Sequence, residues 1–222
     1  MDYAFHIQNQ LAADSMTMAL DKLLKDDLSM RLTPRSLQKT TGTGTRSTAK
    51  ERLFAKYFDG DFQKPPVVVC IGSDLAIGDS LGPIVGSMLK YKTQGVNAYI
   101  YGTLALPVTA KEIKYFQTFL KQSHPGEQVI AVDAAVGAEG DIGLMRVNHS
   151  PLYPGAGANK RLGAIGDLSI LGIVAEKSIS NFALLNSTRL NLVYSMAEKI
   201  SDALAALLWQ RKKTIHQAKQ NV

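Results

Sequence analysis

The sequence predicts an α/β fold, a three-layer α/β/α sandwich around a mostly parallel sheet. Three observations support this prediction. From residue 67 onward, short apolar runs rich in β-branched residues alternate with segments of helical period. Glycine and proline separate most of these segments. A long closing helix is indicated by apolar residues at 192, 196, 200, 204 and 208. Alternating strands and helices build a parallel sheet that is covered on both faces.

The N-terminal part of the chain differs from the rest. Leu20, Leu24 and Leu28 recur at helical spacing and predict a helix-prone leader over residues 1–38. The small residues TTGTGTRST at 40–48 are typical of a flexible linker. We therefore expect 1–48 to form a helical extension, either a pro-segment over a crevice or an assembly arm. Residues 49–222 are expected to form a single α/β domain.

The elements of this domain follow in order. Thr48 and Glu51 form a capping-box signature for a short helix that ends before Pro65. The run 67–72 is predicted to be a buried strand, and Pro83 begins a helix that extends to about residue 92. Later strands are predicted over 97–102, 128–135, 142–148 (near an edge) and 168–176, with a helix from the Thr109–Glu112 capping box to about residue 122 and a glycine-rich loop over 150–166.

Composition excludes several classes of protein. The single cysteine, Cys70, permits no intramolecular disulfide, and its apolar surroundings predict a buried thiol rather than a nucleophile. No apolar run is long enough to cross a bilayer, and no secretory signal pattern is present, so we expect a cytoplasmic protein without a membrane partner.

Charge is distributed unevenly along the chain. The net charge is +6, with a basic excess at Arg211, Lys212, Lys213 and Lys219. These residues are predicted to form a solvated helix end, where cations suit the helix dipole. Nucleic acid is not expected as a partner.

Two acids follow strand-like runs at positions where ligands bind in α/β proteins. Asp79 lies in IGSDLAIGDSLGP (71–83), and Asp133 follows VIAV in VIAVDAAVG (129–137). The carboxyl ends of neighbouring parallel strands share one crevice, so the two carboxylates are expected to lie side by side. Proximity then pushes their pKa values apart, which suits an acid/base pair for hydrolysis.

The same region also contains features of a helix cap and of a glycine-rich nucleotide loop. Asp79 alone could be an N-cap or first-turn acid of the following helix. Gly72, Gly78 and Gly82 do not have the GxGxxG spacing of a dinucleotide site, and no acid ends the second strand. We therefore predict no nucleotide cofactor.

A third segment carries candidate ligand-binding groups. In PGAGANKR (154–161), small residues allow backbone N–H groups to form an anion-binding nest, and Lys160 and Arg161 add cations. The alternative is a solvated surface loop. His124 and His149 also lie in loop-like sequence, without the spacing of a metal site.

Together, IGSDLAIGDSLGP, VDAA and PGAGANKR, in this order, resemble the sporulation protein YyaC family of spore-forming Firmicutes. That family is similar to the germination protease that degrades small acid-soluble spore proteins, and more distantly to hydrogenase maturation endopeptidases. The resemblance covers roughly residues 65–210. It implies a hydrogenase-maturation-protease-like fold, a peptidase-like domain and an endopeptidase of sporulation or germination that acts through an aspartate pair.

The resemblance also implies roles for individual residues. Asp79 and Asp133 match the catalytic aspartates, and the substrate-binding residues are Gly155, Asn159, Lys160 and Arg161. Hydrogenase maturation enzymes bind nickel through two acids and a histidine, but Gly78 here replaces an acid of that motif. No metal and no cofactor are therefore predicted.

The implied partner is a protein or peptide substrate, such as a small acid-soluble spore protein, in the developing spore compartment; a homo-oligomer is left open. Two alternatives to this peptidase are kept. One is a non-cleaving binding or regulatory protein on the same fold. The other is a metal-assisted, maturation-type protease that uses both acids and His149.

Overall fold

The computed structural model describes residues 2–32, 65–154, 163–177 and 188–220. Its strands are β1 (Asp2–His6), β2 (Val67–Cys70), β3 (Ile100–Tyr101), β4 (Val129–Gly137), β5 (Leu144–Asn148) and β6 (Leu168–Glu176). Its α-helices are α1 (Ala12–Leu32), α2 (Leu81–Lys92), α3 (Ile113–Ser123) and α4 (Leu190–Gln220). None of the described helices is long and apolar enough to span a membrane.

The strands form one sheet with the order β1-β5-β6-β4-β2-β3. The pairings β3–β2, β2–β4 and β4–β6 are parallel, whereas β5 and β1 continue the sheet antiparallel. The predicted α/β class with a mostly parallel sheet is therefore confirmed. β5 was expected near an edge, and it is one strand inside the edge because β1 covers it.

Helices cover both faces of the sheet, as a three-layer sandwich requires. Alternate residues of β2 and β4, including Val68 and Ile130, pack with α1, α2 and α4. The intervening residues, including Val69 and Ala131, pack with α3 on the other face. This alternation follows from the two-residue period of a strand and gives two apolar cores separated by the sheet.

The N-terminal leader is part of this architecture. Residues 2–6 add a strand to the sheet, with Asp2 opposite Asn148 and His6 opposite Leu144. The predicted helix is present as α1, and its side chains Met16, Leu20, Leu23 and Leu24 are fully buried in the main core. The expectation of a separate helical extension is thus corrected over residues 2–32. The linker at 40–48, the domain boundary at 48/49 and the Thr48–Glu51 helix lie outside the described residues.

The basic C-terminal segment also differs from the expectation of a solvated helix end. Arg211 is 4% exposed, and its guanidinium donates to Asp21 Oδ1 at 3.1 Å. This ion pair joins α4 to α1. Lys212 extends over the Trp209 ring, 4.9 Å from its centroid. The side chains of Lys213 and Lys219 lie outside the described part of the chain.

Glycines allow α2 and β3 to approach β2 closely. Gly102 has φ +81°, and a Cβ there would overlap the carbonyl oxygen of Cys70. A Cβ at Gly86, on α2, would overlap the carbonyl oxygen of Gly102. Only glycine fits where two backbones meet this closely.

The burial of α1 predicts different costs for two leucine truncations. Leu23 is fully buried, whereas Leu11, which immediately precedes the helix, is 64% exposed. We expect Leu23→Ala to lower the free energy of unfolding by about 2–5 kcal/mol. Leu11→Ala should change it by less than about 0.5 kcal/mol. Urea denaturation measures both. Equal, small effects would mean that the leader does not contribute to the core.

The close approach at Gly102 predicts a second contrast. Gly126 also has a positive φ, +76°, but a Cβ there meets nothing within 4 Å. We expect Gly126→Ala to cost about 1–2 kcal/mol through backbone strain alone. Gly102→Ala carries the same strain plus a steric overlap and should cost more than about 4 kcal/mol. Thermal melts of both variants test this, and matching melting temperatures would contradict it.

Candidate functional site

The site is built where β2 ends and β4 continues. Cys70, the last residue of β2, pairs with Val132, and the N–H of Ile71 donates to the carbonyl of Val132 at 2.7 Å. Asp133 is the next residue of β4 and pairs only on its other side, with Leu171 of β6. Asp133 therefore lies where the sheet opens beside the end of β2, which is where ligands bind in parallel sheets.

The sequence correctly predicts this location, although β4 is longer than expected. The strand was predicted to end by residue 135, shortly after Asp133, but it runs to Gly137 because β6 continues to pair with it. The crevice thus arises from the short β2, whose last residue, Cys70, pairs with Val132, five residues before β4 ends at Gly137. The residue at which a strand ends depends on the strands that pair with it. A local sequence pattern does not contain this information.

Asp79 reaches the same edge from the loop that follows β2. It is the middle residue of a short 3₁₀ turn, Gly78–Ser80, that leads directly into α2. The capping interpretation is not what the structure shows, because the N-cap of α2 is Ser80 and no acid lies in the first turn of the helix. The backbone of Asp79 is fixed by the Ser73 N–H, which donates to its carbonyl at 3.1 Å.

Two of the glycines that suggested a nucleotide loop have a packing role instead. A Cβ at Gly72 would overlap the carbonyl oxygen of Asp79, and a Cβ at Gly82 would overlap the carbonyl oxygen of Ile71. The loop therefore folds tightly back onto the end of β2. This close contact brings Asp79 over the strand end, beside Asp133.

The two carboxyl groups influence each other electrostatically. Burial raises the pKa of Asp79, and a backbone N–H from Ser73 opposes the rise. Burial also raises the pKa of Asp133 well above its ordinary value, and the charge of Asp79 raises it further. The Ala134 N–H donates to Asp133 Oδ1 at 2.8 Å and acts in the opposite direction. Since both residues stay partly exposed, the pair combines coupled titration with access for water.

The predicted substrate-binding residues Gly155, Asn159, Lys160 and Arg161 lie outside the described residues, so their role stays a prediction. The chain on either side of them is anchored. Leu152 and Ile165 exchange two backbone hydrogen bonds of 2.9 Å and belong to the core on the α3 face. Ala131 belongs to the same core, and strand alternation places Asp133 on the face of Ala131.

His149 is held away from the acid pair. His149 follows β5, and its Nε2 lies 3.9 Å from Asp27 Oδ1. Because β5 ends opposite the start of β6, this is the other edge of the sheet. His149 therefore does not complete a three-ligand site with Asp79 and Asp133, which corrects the metal-assisted alternative on that point. Within the described ranges, no group of three His, Cys, Asp or Glu side chains is placed to hold a metal.

Two features elsewhere in the fold were not predicted. His124 donates or accepts through both ring nitrogens, to the Tyr101 hydroxyl at 2.7 Å and the Glu127 carboxylate at 2.9 Å. A cleft of about 440 Å³ lies beside His124 at the amino ends of β4 and β6, and neither acid of the pair lines it. The sequence signal for the hydrogen bonds of His124 was the spacing of His124 and Glu127, three residues apart.

Cys70 is buried as predicted, and burial raises the pKa of its thiol.

The raised pKa of Asp133 predicts how stability varies with pH. Unfolded aspartate titrates near pH 4, so the stabilising effect of the bound proton is complete below about pH 4. It is lost as the pH rises through the higher pKa of the folded state. We expect Asp133→Asn to raise the melting temperature at pH 7 and to flatten its fall between pH 4 and 8. A change of about 1 kcal/mol corresponds to roughly 2–4 °C for a chain of this size.

Asp74→Asn is the matched control, because Asp74 is an exposed acid in the same loop as Asp79. Its melting temperature should follow the wild-type pH dependence. If Asp133→Asn and wild type give parallel curves of melting temperature against pH, Asp133 does not carry a raised pKa.

Comparison with known proteins places the chain in a family. A family described as "Protein of unknown function (DUF1256)" matches residues 45–203. The "Uncharacterized protein YyaC" of Bacillus subtilis (strain 168) is 44% identical over 142 residues, which are 64% of this chain and 69% of that protein. These findings confirm the resemblance to the YyaC family.

A solved structure is also similar. It is the crystal structure of a NiFe hydrogenase maturation protease, HycI, from Thermococcus kodakarensis KOD1, at 19% identity and a TM-score of 0.37. The match covers 71% of this chain and 99% of the other. A TM-score this low does not bear on mechanism. Since the family match spans most of the chain, the protein belongs to the DUF1256 family.

Proposed function

We propose that this protein is a peptidase that hydrolyses peptide bonds with the carboxyl groups of Asp79 and Asp133. The observation that carries the proposal is that Asp79 and Asp133 meet at the open edge of the sheet, because the loop of Asp79 packs on the end of β2 beside Asp133. There the charge of Asp79 adds to the effect of burial and raises the pKa of Asp133. Two acids with coupled titrations at an open sheet edge can hold one proton between them near neutral pH. The motifs shared with the germination protease support the same chemistry.

The two acids divide the work of hydrolysis. The larger rise in pKa is at Asp133, which therefore holds the shared proton in the resting state and leaves Asp79 ionised. Asp79 accepts a proton from water as the water oxygen bonds to the scissile carbonyl carbon. Asp133 donates its proton to the amine as the carbon–nitrogen bond breaks. Transfer of the proton from Asp79 to Asp133 then restores the pair.

Charge that develops on the carbonyl oxygen requires hydrogen-bond donors. We propose that Lys160, Arg161 and backbone N–H groups of the segment 154–161 supply them, or bind a carboxylate of the substrate. Support comes from the flanks of this segment, Leu152 and Ile165, which are anchored on the sheet face of Asp133. By the resemblance, the substrate is a small acid-soluble spore protein and the setting is sporulation or germination.

Substitution of either acid tests the proposal. Wild type, Asp79→Asn and Asp133→Asn are incubated with a small acid-soluble spore protein over a pH series, and mass spectrometry counts the products. Loss of a general acid or base should reduce turnover by roughly 10²–10⁴-fold, while each variant stays folded. The double variant should be scarcely slower than either single variant, because the residues act as a unit.

Asp14→Asn is the matched control for turnover, because Asp14 is an exposed acid on α1, and it should retain wild-type turnover. Fully active single variants would contradict the aspartate pair. A substrate that stays bound but intact at every pH, equally with wild type and Asp79→Asn, would instead favour a binding protein on the same fold.

A further inference from the structure

Aliphatic side chains are exposed on two loops at the carboxyl edge of the sheet. Leu75 and Ile77, in the loop between β2 and α2, are 91% and 38% exposed. Leu104 and Leu106, in the turn after β3, are 45% and 78% exposed. We call these four side chains the apolar rim. Single exposed leucines are common on protein surfaces, but a cluster next to a crevice indicates binding.

The backbone that carries the apolar rim is hydrogen-bonded. Thr103 and Leu106 exchange backbone hydrogen bonds of 3.0 and 3.1 Å, which close a tight turn, and the Leu104 N–H donates to Ser87 Oγ at 2.9 Å. In the other loop, the Leu75 N–H donates to Ser73 Oγ at 3.1 Å. Polar residues and glycine are the usual occupants of such turns. Leu75 and Leu106, the two most exposed of these side chains, therefore contribute little to the core.

The apolar rim is continuous with the acid pair. Ile77 is two residues from Asp79, and its carbonyl accepts both the N–H of Ser80 at 3.2 Å and the hydroxyl of Ser80 at 2.6 Å. The two loops are joined where the Gly72 N–H donates to the Val108 carbonyl at 3.0 Å. The two loops of the rim are therefore neighbours, and one of them carries Asp79.

Charge narrows the choice of ligand. Residues 72–80 carry two acids, Asp74 and Asp79, and no cation, and residues 102–108 carry no charge at all. Together with Asp133, these groups disfavour an acidic side chain at the rim and favour a neutral or basic one there, whereas the proposed cations Lys160 and Arg161 belong to the separate segment 154–161. Both acids of the pair keep part of their surface exposed, and Ile77 lies in the same loop as Asp79, so an extended polypeptide segment that lies over the rim continues onto the pair.

We propose that the apolar rim is a subsite that binds aliphatic side chains of an extended, neutral or basic polypeptide segment beside the acid pair. This inference rests on the proposed function, since it names the kind of substrate that the same site takes. Such a subsite binds locally unfolded segments of a protein more tightly than it binds small molecules or acidic segments.

Binding of three fluorescein-labelled synthetic peptides to Asp79→Asn protein tests the subsite without cleavage. One unstructured glycine/serine peptide carries two leucines and two lysines, the second has serine in place of both leucines, and the third has glutamate in place of both lysines. Fluorescence anisotropy should show the first peptide binding about tenfold more tightly than either of the others. No detectable binding of the leucine–lysine peptide would overturn the inference.

Substitution of the rim provides the second arm. Leu75→Ser/Leu106→Ser, added to Asp79→Asn, should weaken binding of the first peptide by about tenfold. Met18→Ser is the matched control, because Met18 is 74% exposed on α1 and does not belong to the rim. It should leave the affinity unchanged. Equal loss in the control, or none in the rim variant, would overturn the inference.

The same rim variant distinguishes failure of the subsite from failure of the proposed peptidase activity. If wild type cleaves a spore protein and the rim variant does so with unchanged KM, the subsite is refuted while the acid pair stands. If peptide binding behaves as expected but no substrate is cleaved, the peptidase is refuted while the rim stands. Self-association or binding to phosphatidylcholine vesicles that the rim substitutions abolish, without peptide binding, would assign the rim to a second copy or a membrane surface and overturn the inference.

Discussion

The close packing of α2 against the end of β2 is the constraint on which the site depends. Gly72, Gly82, Gly86 and Gly102 each lie against a backbone carbonyl with no room for a Cβ. This packing brings the start of the helix nearer to the sheet than side chains would allow, and it carries Asp79 over the strand end. The position of the Asp79 backbone over the strand end is therefore set by backbone contacts, which vary little.

The position of the acid pair in the fold also affects the free energy of folding. Two partly buried acids oppose folding when both are charged, because burial and like charge both disfavour ionisation. The surrounding strands supply the compensating stability: every residue of β2 and the first four residues of β4 are buried. Asp133 keeps its position because it lies on a central strand, and Asp79 keeps its position because its loop is packed tightly against the end of β2.

The sequence was sufficient to predict the sheet and the acid pair, because a parallel α/β fold brings the carboxyl ends of its strands to one edge. It was not sufficient for features that depend on distant pairing. β1 is a short segment whose partner, β5, begins 138 residues after it ends. The burial of Arg211 depends on Asp21 of another helix, and a basic helix end is more often solvated. The exposure of Leu75 is likewise decided by the assembled loops and not by local pattern.

The place of β1 in the sheet has a consequence for synthesis of the protein in the cell. Asp2 lies opposite Asn148, so a ribosome adds 146 further residues before the partner of the first strand residue exists. At about 5–20 residues per second, this takes roughly 7–30 s. During that time the β1 backbone lacks its partner strand, and the apolar side of α1 lacks α4. Such a nascent chain is accessible to chaperones that bind at the ribosome. The complete six-stranded sheet forms only after nearly the whole domain has left the exit tunnel.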